Sequence, residues 1–275
     1  MRKFILISFF VICPNLFINA QKVNYKKHGS SVYYVETFAI DTPFQCTKHN
    51  IIYTAGKTFV FKYQYLDKSG EEFLFKKGED MQWEFIPKSA EDASAVHSIE
   101  MYIVSDIKEM KLAVTNQSVI HYRHLDKDKS TRAFSWDERT GLIDNKKNIW
   151  FHPPRSYLFK ILELNPFPYI HLPVKEGKNW KWKLEIGAQW GDTRWKTWSN
   201  VITNKYKYKI VDTESLVETA LGTLKCCKIE SQAKSSIGTT YLTTYFNEQY
   251  GFVRYEYINI DKSKINIELI DIREK

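Results

Sequence analysis

Residues 180–186 read WKWKLEI and residues 205–210 read KYKYKI, and these two short stretches decide the fold class. In the first, Trp180, Trp182, Leu184 and Ile186 alternate with Lys181, Lys183 and Glu185. In the second, Tyr206, Tyr208 and Ile210 alternate with Lys205, Lys207 and Lys209. A period of two sends the two sets to opposite sides of an extended chain, the signature of half-buried antiparallel strands. The same rhythm predicts strands over 223–231, 239–246, 252–260 and 265–270, separated by short turns containing Gly238, Asn247 to Gly251, and Asp261 to Lys264. Long strands joined this tightly make an antiparallel meander.

Upstream the pattern is present but less regular. Phe59, Phe61, Tyr63 and Tyr65 fall on one face and Lys62 and Gln64 on the other; the turn Asp67-Lys68-Ser69-Gly70 then leads into Glu71 to Phe75, predicting a hairpin. Ile99, Met101 and Ile103 alternate with Glu100 and Tyr102, whereas helix and strand patterns compete between Glu91 and Thr115. Residues 133–137, followed by Arg139-Thr140-Gly141, predict a further strand and turn. Five of the eight prolines lie between Pro153 and Pro173 and bracket the apolar piece Tyr157 to Leu164. Ser156 is placed to cap a short helix there, with Leu158, Ile161 and Leu162 on one side and Pro166 ending it. This piece is either a linker between two β-halves, 21–152 and 174–275, or a helix lying on a sheet. The chain has 17 Tyr, 17 Phe and 8 Trp, and a large sheet with so aromatic a core must curl or close. The expectation is a mainly β protein: one β-rich domain over 21–275, a curled antiparallel sheet or open β-barrel meander with one or two short helices.

The N-terminus reads as an export signal. Arg2 and Lys3 form a basic start, Phe4 to Ile12 an apolar core, and Ile18-Asn19-Ala20 a cleavage site, so residues 1–20 are expected to be removed. The apolar stretch falls short of the roughly 20 residues needed to span a bilayer, and no transmembrane span is expected after cleavage. A lipid-anchored form would use Cys13, but Ile12 stands where such signals carry a small residue. The predicted location is outside the cytoplasm, in the periplasm, at the outer-membrane periphery or extracellular. Cleavage would leave Cys46, Cys226 and Cys227, an odd number for an oxidising compartment. Neighbours on a strand face opposite ways, so Cys46 can pair with Cys226 or with Cys227; three buried free thiols are the alternative. Without Arg2 and Lys3 the net charge is about +6, and the basic residues look dispersed along the chain, which argues against a nucleic-acid partner.

No motif for catalysis, metal or cofactor stands out. His121 and His124 are three apart, which on a strand sends them to opposite faces, and Asp126-Lys127-Asp128-Lys129-Ser130 lacks the glycine of a calcium loop. There is no Gly-x-Ser-x-Gly, no His-Glu-x-x-His and no phosphate-binding glycine loop. The densest unusual feature is a run of tryptophans: Trp190, Trp195 and Trp198 lie among Gly187, Gly191, Asp192 and Asn200, on a long hairpin after Trp180 and Trp182. Aromatic residues on such a loop mark either a binding surface or a flap closing one end of the barrel.

Three motifs carry a resemblance. They are Leu172-Pro173-Val174-Lys175-Glu176-Gly177-Lys178-Asn179-Trp180, then Leu221-Gly222-Thr223-Leu224-Lys225-Cys226, then Tyr245-Phe246 with Tyr250-Gly251-Phe252-Val253-Arg254-Tyr255-Glu256. Over Leu172 to Glu256 the chain resembles secreted β-proteins of Gram-negative cell envelopes, and in strand pattern the open-barrel lipoprotein carriers of the periplasm. The resemblance implies a fold and brings no functional residue with it. The expected function is that of an exported, non-enzymatic envelope protein, without cofactor, carrying an apolar, lipid-like ligand on the concave face of the sheet. A face filled by its own side chains would count against this. The other reading is an interaction module that binds a glycan or protein of the envelope through Trp190, Trp195 and Trp198.

Overall fold

The computed structural model describes residues 26–28, 31–33, 50–78, 82–90, 92–104, 117–128 and 137–274. β1 (Lys26–His28) and β2 (Ser31–Tyr33) pair only with each other. The remaining strands are β3 (Lys57–Leu66), β4 (Glu72–Lys77), β5 (Trp83–Pro87), β6 (Ser98–Ile103), β7 (Ser118–Leu125), β8 (Glu138–Asp144), β9 (Asn148–Phe151) and β10 (Tyr169–His171). They continue with β11 (Asn179–Gly187), β12 (Val201–Thr219), β13 (Gly222–Ser235), β14 (Gly238–Asn247), β15 (Gly251–Ile258) and β16 (Lys264–Glu274). All fourteen join one antiparallel sheet, ordered β10-β9-β8-β7-β6-β3-β16-β15-β14-β13-β12-β11, with β4 and β5 branching from the end of β3. The last strand is thus inserted between the early β3 and β15. The C-terminal meander matches the sequence reading strand for strand.

Two upstream expectations change. Arg139-Thr140-Gly141 lies inside β8, where Thr140 and Gly141 face Ile120 and Val119 of β7. The Gln117 side chain lies over Gly141, where a Cβ would sit 1.8 Å from Gln117 Oε1 unless that side chain moved. The chain reverses at Asn145 instead, whose Oδ1 accepts the backbone N–H groups of Lys147 and Asn148 at 2.9 and 3.0 Å. Of the ambiguous span 91–115, residues 98–103 form β6; residues 105–115 lie outside the described residues, as do 133–136.

The sheet curls into a barrel whose two edges, β10 and β11, meet without a hydrogen-bonded ladder. Aromatic side chains close the gap. Trp180 stacks on Tyr208 (5.2 Å, 6°) and Trp182 on Tyr206 (4.4 Å, 17°) as cross-strand pairs of β11 and β12. From the other edge His171 stacks on Trp180 (4.8 Å, 12°), Tyr169 meets Trp180 and Tyr208 edge-on, and Trp150 meets Trp182. The Lys178 ammonium bridges the remaining space, donating to the carbonyls of His171, Leu172 and Pro173, each at 3.1 Å. Its three N–H bonds match three acceptors, while partial desolvation lowers its pKa.

At the far side, Asp144 Oδ2 accepts the N–H groups of Ile51, Ile52 and Tyr53 at 2.9, 2.7 and 2.8 Å, and the Tyr53 hydroxyl accepts the N–H of Phe252 at 2.9 Å. Gly251 is required twice over there. Its φ is 78°, and a Cβ would stand 2.2 Å from the Tyr53 oxygen.

Trp180→Ala is expected to cost about 3–5 kcal/mol, the usual range for a buried tryptophan. Amide exchange should lose protection first in β10. An even loss across the whole sheet would show that the seam is not a separate line of weakness.

Candidate functional site

The concave face is the first place to look for a site, and it is occupied by the chain itself. Tyr157–Leu164 forms a 3-10 helix inside the barrel, where Leu158, Phe159, Ile161, Leu162, Glu163 and Leu164 are all buried. It is a short helix lying on the sheet, as one of the two readings of the sequence has it, and it lies on the concave side, where it acts as a plug with buried apolar side chains on more than one face. Phe159 lies between Tyr63 (5.3 Å), Phe75 (5.6 Å) and the His124 ring, on which it stacks at 5.7 Å and 22°. Burying its five apolar side chains contributes roughly 2 kcal/mol each.

A short helix in such a place leaves backbone groups without partners, and polar side chains from the strands meet them. Ser156 does not cap with its own hydroxyl. Its N–H and that of Arg155 donate to the Glu138 carboxylate at 2.9 and 2.8 Å. At the other end the Leu164 carbonyl accepts from Asn204 Nδ2 at 2.9 Å and Thr240 Oγ1 at 2.7 Å. Asn165 Nδ2 donates to the carbonyls of Tyr241 and Ile258. Between the ends, Glu163 faces His152 at 3.0 Å. Burial raises the Glu138 carboxyl above its ordinary range. No periodic signal in the sequence marks Glu138, Asn165, Asn204 or Thr240; Glu138, Asn204 and Thr240 are isolated polar residues on the inward side of strands, and Asn165 follows the plug directly.

Among the described residues, the inner face beside the plug holds a gap of about 10 Å³ lined by Phe61, Tyr122, Phe151, Pro153, Tyr255 and Tyr257. That is about the space of a single water probe and far too small for an acyl chain. A second concavity of about 440 Å³ lies against the outer side of β3, β15 and β16. Most of its charges pair with one another, Lys62 and Arg254 with Glu268 (both 2.9 Å) and Lys88 with Glu72.

The three tryptophans of the expected binding loop lie on residues 188–200, between β11 and β12. Each is half-buried against the core, around a 3-10 turn (Ala188–Trp190) and an isolated bridge between Asp192 and Lys196. Trp195 stacks on Trp83 of β5 (6.2 Å, 27°), and the Arg194 guanidinium lies 3.7 Å over the Trp83 ring while it binds Asp192 through Nε and Nη2 at 2.8 and 2.7 Å. Arg155 lies 5.4 Å over Trp190, and Lys160 of the plug donates to the Gly191 carbonyl at 3.1 Å. The indole N–H groups of Trp195 and Trp198 are shielded from solvent and have no acceptor among the described residues. The loop thus covers one end of the barrel and is fastened to the plug.

His121 and His124 face opposite ways, as their spacing predicts: His121 is bonded to the Tyr102 hydroxyl at 2.7 Å, and His124 points at the plug. Among the described residues no group of three or more His, Cys, Asp or Glu side chains is placed to hold a metal. Cys226 and Cys227 are buried free thiols whose pKa burial pushes up to about 11 and about 12; Cys46, their expected partner, lies outside the described residues. No helix among the described residues is long and apolar enough to cross a membrane.

No protein-family model matches the chain, and no curated protein matches it. Among solved structures it is similar to a "putative exported protein with YmcC-like fold" from Bacteroides fragilis, at 10% identity and a TM-score of 0.46 over 82% of this chain and 99% of the other. It is also similar to a "putative lipoprotein" from Parabacteroides distasonis (13% identity, TM-score 0.44, 84% and 99% covered). A third is the "hypothetical lipoprotein YmcC" from Escherichia coli (9%, 0.32, 84% and 94%).

Burial depresses the His124 imidazole to about 4. A folded-state value below the unfolded 6.5 gives stability that is present above pH 6.5 and lost as pH falls towards 4, about 3 kcal/mol in all. His124→Phe is expected to remove most of that loss. Denaturant titrations at pH 7 and pH 4.5 on both proteins check it, and equal losses would mean that water reaches the ring.

Proposed function

We propose that this is an exported, non-enzymatic binding module of the cell envelope that works from its outer surface, engaging a glycan through the tryptophan loop. The observation that supports the reading is the plug, whose Leu158, Phe159, Ile161, Leu162 and Leu164 are buried on the described concave face where an apolar ligand would lie. Export is supported by the basic and apolar N-terminus that ends at Ala20. The loop supplies what a sugar ring needs, flat indole faces beside a planar guanidinium and a carboxylate, here Trp190, Trp195, Arg194 and Asp192. The two indole N–H groups without acceptors add donors that a local shift of the loop would offer to hydroxyl oxygens.

Carriage of a lipid-like molecule requires the plug to leave the barrel, breaking its bonds to Glu138, Asn204 and Thr240 together. That makes it the weaker reading. Native against denaturing mass spectrometry on protein purified without detergent from its own envelope separates the two. A bare chain agrees with the module, whereas released mass in the lipid range restores the carrier.

Titration with purified cell-wall glycan fragments, followed by tryptophan fluorescence, tests the loop. Trp195→Ala and Trp198→Ala should each weaken binding about tenfold or more and leave the far-ultraviolet circular dichroism unchanged. Unfolding of both variants would reassign these residues to the core, and unchanged binding would remove the loop from the site.

A further inference from the structure

The lysines that look dispersed along the sequence are gathered by the strand register. Lys181 and Lys183 of β11 stand directly opposite Lys207 and Lys205 of β12, and Lys205 in turn faces Lys234 of β13. With Lys209 they make six exposed lysines on the outward side of three adjoining strands. Like charges placed directly opposite destabilise a sheet, yet three such pairs occur side by side here. The acidic groups within this block are Glu185 and Glu230, and Glu230 already pairs with Lys228 at 3.4 Å; further along the same outward face, Glu256 of β15 stands opposite Thr243, two residues from Ile258.

The same outward rows carry apolar side chains. Lys207 faces Gln232, Gln232 faces Tyr241 on β14, Tyr241 faces Ile258 on β15, and Ile258 faces Lys264 on β16. Tyr241 and Ile258 are 43% and 39% exposed, and Val201, on the lysine side of β12, is 52% exposed. At about 4.8 Å per strand, the row from Lys181 to Ile258 covers about 19 Å. A soluble polyanion would be met by the lysines alone. A block of lysines flanked by an exposed tyrosine and two aliphatic side chains matches the two layers of a bilayer surface, phosphates outside and the acyl boundary just beneath.

We propose that the outer face of β11 to β15 docks on an anionic phospholipid surface, with Lys181, Lys205, Lys207 and Lys234 on the phosphates and Tyr241 and Ile258 dipping below them. The side chains on this face and those of the tryptophan loop are different, so the two readings stand or fall separately.

Flotation of the full chain with vesicles of phosphatidylcholine alone, or with 30% phosphatidylglycerol, tests the proposal. The readout is the ratio of anionic to neutral binding compared between wild type and variants, which share the same N-terminal segment with its Arg2 and Lys3. The variant K205Q/K207Q/K234Q should lower that ratio about a hundredfold, about fivefold per lysine, and remain at least as stable to heat because repulsion is relieved. Tyr241→Ser with Ile258→Ser should lower binding to the anionic vesicles severalfold at equal charge. A ratio near one for the wild type, or one unchanged in the lysine variant, overturns the proposal. So does tight binding of inorganic polyphosphate through the same lysines with Tyr241 and Ile258 indifferent, which would make the face a reader of soluble polyanions.

Discussion

The carbonyl oxygen of Leu164 sits in the middle of the barrel and accepts two hydrogen bonds, one from Asn204 on β12 and one from Thr240 on β14. A backbone group buried without partners costs 1–3 kcal/mol, so a one-helix plug is tolerated only where the surrounding strands reach in with polar side chains. Here they do so at both ends, with Glu138 holding the entry and Asn165 tying the exit to Tyr241 and Ile258. Once the plug is fixed, its apolar side chains occupy the described concave face, and the tryptophan loop has a floor to rest on through Lys160.

The barrel also shows how a sheet can close without a ladder. A hydrogen-bonded closure could gain little here, because β10 has only three residues to offer along the nine of β11. Stacked rings tolerate that mismatch because they need area and not register. The polarity of the adjoining strands follows from the same arrangement: β11 and β12 send tryptophan and tyrosine inward and lysine outward. That is the reverse of a barrel that spans a membrane with an apolar outer belt.

The meander from Trp180 onward was legible because each strand there is long, alternates cleanly and ends in a turn with a recognisable residue, Gly251 being the clearest. The plug was visible as an apolar piece between prolines, but not its place. Leu158, Ile161 and Leu162 suggest one apolar side, whereas Phe159 and Leu164 are buried on the others, and only the curled sheet makes an all-round interior available. Arg139-Thr140-Gly141 looked like a turn because glycine marks both turns and crowded strands, and the crowding comes from Gln117, on the neighbouring strand's approach. The lysine face was hidden for a different reason. Its members come from strands whose mutual register depends on the length of the loop between them, which no local pattern reports.

β3 is among the first strands of the barrel to be made and β16 is the last, yet they pair along ten residues of each, Lys57 opposite Glu274 and Leu66 opposite Lys264. A chain that emerges N-terminus first therefore carries the Phe59, Phe61, Tyr63 and Tyr65 face with one edge open until almost every residue has appeared. Such distant pairing makes folding slow, since a loop of some two hundred residues must close before the ladder returns any energy. The fold keeps its own precursor open. Until β16 is in place the unfinished chain keeps aromatic surface uncovered, the condition under which partly folded chains aggregate.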